Sequence, residues 1–97
     1  MKEIIIDAIR NRRILSFRYH GHQRLVEPHL LGVTTAGTLS LSAYQIGGSS
    51  DSGNVPDWRL FVVNEILELQ STANSFEGTR PKYNPADTRM SRILAKL

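Results

Sequence analysis

The chain has 97 residues, enough for one small domain, and its 40% hydrophobic and 22% charged residues are ordinary for a globular protein. It contains no cysteine, which excludes a disulfide framework and thiolate metal ligands. The net charge of +3 is uneven, with a balance of +4 in each of residues 1–24 and 80–97 and −5 in residues 25–79. Basic ends can mark a nucleic-acid surface, or they can dock on the acidic middle of the chain.

No apolar run approaches membrane-spanning length, and the first residues carry acids rather than the basic start of a signal peptide. We therefore expect a cytoplasmic protein.

The chain begins with a helical pattern and then changes to the alternation of a strand. Ile5, Ala8 and Ile9 recur at helical spacing, which predicts a helix over residues 2–12 that ends at a pair of arginines. Residues 14–20 alternate with a period of two and predict a first strand, and Gly21 supplies a turn after it.

Four more strands are predicted, over residues 24–31, 38–45, 58–63 and about 66–69. Pro28 within the second strand indicates an edge position or a bulge. The glycine- and serine-rich run over residues 47–57 is typical of an exposed loop that could close over a ligand. The order of elements predicts a mainly β, α+β fold: a small curved sheet or partly open five-stranded barrel behind an N-terminal helix.

The end of the chain has a different pattern. Residues 71–83 look irregular, and Asn84 followed by Pro85 is typical of a helix start. Apolar residues at helical spacing follow it and predict a short C-terminal helix that packs on the barrel or mediates a homodimer: Met90, Ile93, Leu94 and Leu97. We thus expect a barrel domain over residues 1–76 and an extension over residues 77–97.

Arginines inside apolar strands are the most informative polar residues, because burying an unpaired charge is costly. Arg24 and Arg59 belong to distant segments, and together with Tyr19 they would form a basic socket for an anion or a nucleotide. The alternative is that each arginine pairs with an acid, namely Glu27, Glu65 or Glu68.

The order and spacing of these segments resemble the WYL domain family. The resemblance covers roughly residues 3–76 and rests on Ala8-Ile9 with Arg12-Arg13, Leu15-Ser16-Phe17-Arg18-Tyr19, Arg24-Leu25-Val26-Glu27-Pro28, Gly37-Thr38-Leu39-Ser40-Leu41-Ser42-Ala43-Tyr44, Arg59-Leu60-Phe61-Val62-Val63-Asn64-Glu65-Ile66, and Ser71-Thr72 with Phe76. Two positions depart from the family pattern: Leu39-Ser40-Leu41 replaces the name-giving Trp-Tyr-Leu, and Glu65 stands where arginine is usual.

The resemblance implies an Sm-like or SH3-like barrel in a free-standing module without a helix-turn-helix domain. It also implies a ligand-sensing or nucleic-acid-binding role in bacterial or phage transcriptional or defence regulation. Carried over by residue, the implied ligand site comprises Tyr19, Arg24, Tyr44, Arg59 and Phe61. For the two tyrosines and Phe61 the alternative is a place in the core.

A second set of basic residues could contact nucleic acid: Arg12, Arg13, Arg80, Lys82 and Arg89. The alternative is a solvated surface. His20, His22 and His29 lack partners at ligand spacing, so we expect no metal site. No catalytic constellation or phosphate loop is present, and we expect neither an enzyme nor a cofactor. The remaining function hypotheses are a sensor of a small anion, a structural or dimerisation module, and a direct binder of single-stranded nucleic acid.

Overall fold

A computed structural model describes residues 1–97, which form one α-helix and six strands. The elements are α1 (Lys2–Asn11), β1 (Arg13–Tyr19), β2 (His22–Thr34), β3 (Leu39–Gly48), β4 (Asp57–Val62), a 3₁₀ turn (Val63–Glu65), β5 (Leu67–Ser75) and β6 (Met90–Lys96). The helix is too short to cross a membrane. The predicted N-terminal helix and mainly β fold are confirmed.

Helix α1 ends where the sequence predicts, because Arg12 adopts a left-handed conformation with φ 53° and ψ 50°. The backbone N–H of Arg12 donates to the carbonyl groups of Ala8 and Ile9, which satisfies acceptors at the helix end. Ile5, Ala8 and Ile9 are fully buried. The apolar side of the helix therefore closes one side of the core.

Strand β2 is the centre of the sheet because it pairs with three neighbours, all antiparallel. Its first half pairs with β1, from Val26 opposite Leu15 to His22 opposite Tyr19. Its second half, residues 30–34, pairs with β6. Strand β3 pairs with β2 over residues 24–33 of β2. The register between β2 and β3 shifts just after Pro28, which confirms the bulge predicted at this proline.

The strand order is β4-β3-β2-β1-β5, with β6 joined to β2, and the terminal strands β4 and β5 do not pair with each other. The six-stranded sheet is therefore open. Its apolar face and α1 enclose a core that includes Leu15, Phe17, Val26, Leu31, Leu41 and Phe61. The aromatic rings of Phe17 and Phe61 meet edge to face, with 4.9 Å between their centroids.

The predicted C-terminal helix is wrong, because residues 90–96 form strand β6. Residues 84–89 make turns instead: the Asn84 side chain accepts from the Ala86 N–H at 3.0 Å, and the Met90 N–H donates to the Asp87 carbonyl at 3.1 Å. A short isolated helix is only marginally stable, whereas a strand that pairs with β2 forms backbone hydrogen bonds with it. Leu94 and Leu97 pack against the core of the same chain, so the stripe assigned to dimerisation is partly used internally.

Strand β5 also differs from expectation, since it continues to Ser75 through a segment predicted to be irregular. The segment lacks apolar alternation because most of its residues are exposed. Pairing with β1, from Arg18 opposite Leu67 to Arg13 opposite Ser75, holds it in place.

Residues 76–83 are anchored on His29, a fully buried residue of β2. Its Nδ1–H donates to the Glu27 carbonyl at 2.8 Å, and its Nε2 accepts from the Arg80 backbone N–H at 3.1 Å. The rings of Trp58 and Tyr83 pack edge-on against the imidazole, with centroids 4.7 and 5.1 Å away. Burial lowers the pKa of His29, and both ring nitrogens are engaged in its neutral form.

Candidate functional site

Arg24 lies inside the protein at the start of β2, and only 4% of it is exposed. Its guanidinium carbon is 5.6 Å from the centroid of the Tyr19 ring and 5.7 Å from that of Phe61. Nη1 donates to Oε1 of Gln45 at 3.1 Å, and Nη2 donates to the backbone carbonyl of Tyr19 at 3.0 Å. The Nε–H is buried without a hydrogen-bond partner. This guanidinium thus lies beside a pair of aromatic rings with no carboxylate bonded to it.

The electrostatics of Arg24 show what surrounds it. Burial lowers the pKa of Arg24, the positive charge of Arg59 lowers it further, and the carboxylate of Asp51 acts in the opposite direction. Contacts to the same loop also link the two arginines, since Arg24 bonds Gln45, Gln45 bonds the Ser49 carbonyl, and Arg59 bonds Ser50. Two like charges held together in a partly desolvated place favour an anion between or beside them.

Arg59 lies on the edge strand β4, opposite Ala43 of β3. Its Nη2 donates to the hydroxyl of Ser50 at 2.9 Å and to the backbone carbonyl of Asn54. Its Nε–H, like that of Arg24, is buried without a partner. Both acceptors belong to the β3–β4 loop (residues 49–56), so the guanidinium is held by neutral loop oxygens.

The acids considered as partners for the two arginines are engaged elsewhere or exposed. Glu27 receives two hydrogen bonds from Arg80, and Glu65 contacts His20. Glu68 is exposed and forms no ion pair. Neither Arg24 nor Arg59 forms a salt bridge.

Tyr19 and Phe61 form the aromatic wall of this site. The Tyr19 hydroxyl accepts from the Val62 backbone N–H at 3.0 Å, and its ring meets that of Phe61 edge to face at 5.0 Å. The imidazole of His20 stacks on the outer side of Tyr19 at 4.1 Å. Phe61 is 1% exposed and Tyr19 is 7% exposed, so both belong to the core as well as to the wall.

Tyr44 does not join this group. Its ring lies 5.5 Å from Trp58 and 5.0 Å from the guanidinium carbon of Arg80, on the other face of β3. The next residue, Gln45, points the opposite way and bonds Arg24. The structure therefore brings together Tyr19, Arg24, Arg59 and Phe61, and separates Tyr44 from them.

Two residues of the site were missed by sequence reasoning. Gln45 is fully buried; it accepts from Arg24 and its Nε2 donates to the carbonyl groups of Gly47 and Ser49. The sequence signal for Gln45 was its position in β3, two residues after Ala43, which places it on the apolar face of the strand. The second residue is His22, which the sequence marks only as a candidate metal ligand.

His22 connects the start of β2 to the β3–β4 loop. Its Nδ1 lies 2.8 Å from Oγ of Ser49, and its Nε2 lies 2.7 Å from Oδ1 of Asp51. The hydrogen bond from His22 lowers the pKa of Asp51, and the charge of Arg24 lowers it further. An exposed loop carboxylate thus lies beside the basic site.

The residues proposed for nucleic acid are mostly engaged within the chain. Arg12 donates to the carbonyl of Glu77 and Arg13 to that of Ala73. Arg80 binds the carboxylate of Glu27 at 2.7 and 2.9 Å, and Arg89 binds that of Asp87. Lys82 forms no ion pair and lines a cleft of about 300 Å³ beside Trp58 and Tyr83.

Comparison with known proteins identifies one family. The model of the WYL domain matches residues 1–71, which include Tyr19, Arg24, Arg59 and Phe61. Comparison with the curated proteins and with the solved structures found no match.

Proposed function

Because the chain belongs to the WYL domain family, which is associated with ligand-sensing regulatory roles, we propose that it is a regulatory module that binds a small anionic ligand at Arg24 and Arg59. One observation carries the proposal: two arginines linked to the same loop, Arg24 through Gln45 and Arg59 through Ser50, have no carboxylate partner, and each keeps a buried Nε–H unbonded.

The chemistry of the ligand follows from these donors. In a guanidinium, the Nε–H and a terminal N–H form a fork that matches two oxygens of a phosphate or carboxylate. Arg24 is buried and Arg59 is half-buried, and such cations gain more from an anion than fully exposed cations would, because the surroundings screen the attraction less. The buried rings of Tyr19 and Phe61 beside Arg24 make this side of the site apolar. The phosphate of a nucleotide or of a nucleic-acid end has the acceptor oxygens that this fork requires.

The proposed context is transcriptional or defence regulation in a bacterium or a phage, without catalysis by the module itself. Ligand binding would shift the population of conformations or assemblies that a regulatory partner recognises. An Sm-like or SH3-like barrel belongs to the same proposal, because its curl would keep Val62 of β4 at the Tyr19 hydroxyl of β1, where the socket lies.

The test is the substitution Arg59→Ala, with Arg10→Ala as the matched control. Arg10 is an exposed arginine of α1 that forms no side-chain hydrogen bond or ion pair, so its removal changes net charge equally. The probes are nucleoside monophosphates and short single-stranded oligonucleotides in calorimetric titrations, with circular dichroism to verify the fold.

We expect Arg59→Ala to weaken binding at least about tenfold, since a hydrogen bond to a charged group contributes about 1.5–3 kcal/mol. Arg10→Ala should bind as the wild type does. Equal affinities for Arg59→Ala and the wild type would reject the site. For the oligonucleotides, a steep fall of affinity with salt would indicate contacts to several phosphates, and a shallow one contact to a single end.

A further inference from the structure

The β3–β4 loop occupies the arginine site with its own oxygen atoms. The Ser50 hydroxyl and the Asn54 carbonyl both accept from Nη2 of Arg59. The Asp51 carboxylate is bonded to His22 at 2.7 Å. A hydroxyl, a carbonyl and a carboxylate of the chain thus lie around the site where a ligand anion would bind.

The loop is fastened in this position at several points. His22 contacts Ser49 as well as Asp51, and Gln45 donates to the Ser49 carbonyl at 3.1 Å. Within the loop, the Gly53 N–H donates to the Ser50 hydroxyl at 3.2 Å and to the Ser50 carbonyl at 3.1 Å. The loop therefore already holds Nη2 of Arg59, although the Nε–H of this arginine stays unbonded.

We propose that residues 49–54 act as an internal competitor of the ligand, so that an anion binds by displacing the loop from Arg59. This inference rests on the proposed function and concerns how the same site is regulated. It differs from the sequence-based expectation, in which the loop closes over a bound ligand. A lid would add contacts to the ligand, whereas a competitor must give up its contacts to Arg59 before the ligand can make them.

The loop also indicates which class of anion can displace it. Arg59 presents its donors to uncharged oxygens, and the nearby charge is a single exposed carboxylate. The Asp51 charge opposes the fall in the pKa of Arg24, so this carboxylate already acts on one cation of the site. A phosphate monoester brings up to two charges and three acceptor oxygens and can replace the hydroxyl and the carbonyl together. A simple carboxylate offers no more charge than Asp51 already supplies.

The decisive experiment combines Ser50→Ala with Asp51→Asn, which removes the side-chain acceptor and the charge while keeping the loop length. Glu77→Gln is the matched control for charge, because Glu77 is exposed and its side chain forms no hydrogen bond. It also lies beyond Ser75, which pairs with the end of β1 opposite to Tyr19. The probes are inorganic phosphate, adenosine 5′-monophosphate and acetate, titrated at constant ionic strength and pH 7.5.

We expect the double variant to bind both phosphate probes roughly twofold to fivefold more tightly than the wild type, the range typical of removing one exposed charge contact. Glu77→Gln should match the wild type, and acetate should bind more weakly than phosphate to every form. Hydrogen exchange of the wild type gives an independent readout. Saturating phosphate should speed amide exchange in residues 50–54, because the loop is released.

The opposite results separate the two proposals. If the wild type binds phosphate but the double variant binds it equally or more weakly, or if phosphate slows exchange in the loop, the competitor is refuted and the anion site remains. If acetate binds as tightly as phosphate, the assignment to phosphate monoesters is refuted. If neither the wild type nor the double variant binds any probe, the anion site itself is refuted.

Discussion

Replacing His29 by glutamine should remove a pH dependence from the stability of this protein. In the folded state the His29 ring donates through Nδ1 and accepts through Nε2, and burial lowers its pKa. Protonation would place a second donor at Nε2, facing the Arg80 N–H, in a fully buried position. Glutamine can also donate and accept a hydrogen bond, but it does not titrate.

The sign and size of the effect follow from proton linkage. The unfolded chain binds a proton at His29 near the ordinary pKa of about 6.5, and the folded chain binds it only at lower pH. Unfolding therefore takes up a proton in this window, so the free energy of unfolding falls as pH falls and is unaffected above the unfolded pKa. We expect a loss of up to about 1 kcal/mol between pH 6.5 and pH 5.5, and of up to about 1.4 kcal/mol for each further unit, until the folded pKa is reached.

The assay is urea denaturation at pH 5.5, 6.0, 6.5 and 7.5, where the carboxylates of the unfolded chain stay ionised. A loss of about 1 kcal/mol lowers the melting temperature of a chain of this size by about 4–8 °C, so thermal scans give a second readout. His29→Gln should show a flatter profile than the wild type over this range. Parallel profiles for the two proteins would refute the assignment of the buried neutral ring.

Two further predictions concern the attachment of the last third of the chain. Gly32→Ala should lower the free energy of unfolding by about 1–3 kcal/mol, because a Cβ there would lie 2.6 Å from the Arg92 carbonyl oxygen of β6. Gly78→Ala is the control, since there is open space around Gly78. An equal effect of the two substitutions in chemical denaturation would contradict the close packing of β2 and β6. Arg80→Ala should lower the free energy of unfolding by about 2–3 kcal/mol, because it leaves the Glu27 carboxylate, whose side chain is 4% exposed, without its partner. Adding Glu27→Gln should recover part of that loss. A double variant as unstable as the sum of the two single variants would argue against a paired interaction.

The first four strands could be predicted because each carries its own local signal. Leu15, Phe17 and Tyr19 alternate with polar residues in β1, and Pro28 marks the bulge of β2. These signals depend only on neighbours along the chain and on which face is buried. The helix and the long loop before β4 have equally local causes.

Strand β6 could not be predicted in this way. Its apolar residues fit a helical stripe, and its strand conformation comes from pairing with residues 30–34 of β2, about sixty positions earlier. The end of β5 was missed for the opposite reason, since an exposed edge strand has no need of apolar alternation. In both strands a non-local partner determines the backbone.

The site shows the same division between local and non-local information. The cost of burying a charge identifies Arg24 and Arg59 as unusual from the sequence alone, and the curl of the sheet places Arg24 against Tyr19 and Phe61. Tyr44 came from family resemblance, although the alternation of β3 already places it on the face opposite to Ala43 and Gln45. The role of the loop oxygens depends on backbone geometry that no residue pattern specifies.

Strand β2 pairs with three other strands, and this has a consequence for fragments of the protein. Without β2, the remaining strands would reduce to a β3–β4 hairpin, a β1–β5 pair and a solitary β6. Two-stranded pieces are at best marginally stable in water, and a lone strand has no partner for its backbone groups. No contiguous part of the chain that omits residues 22–34 can therefore fold independently, and the anion site and the anchored tail exist only as parts of one indivisible unit.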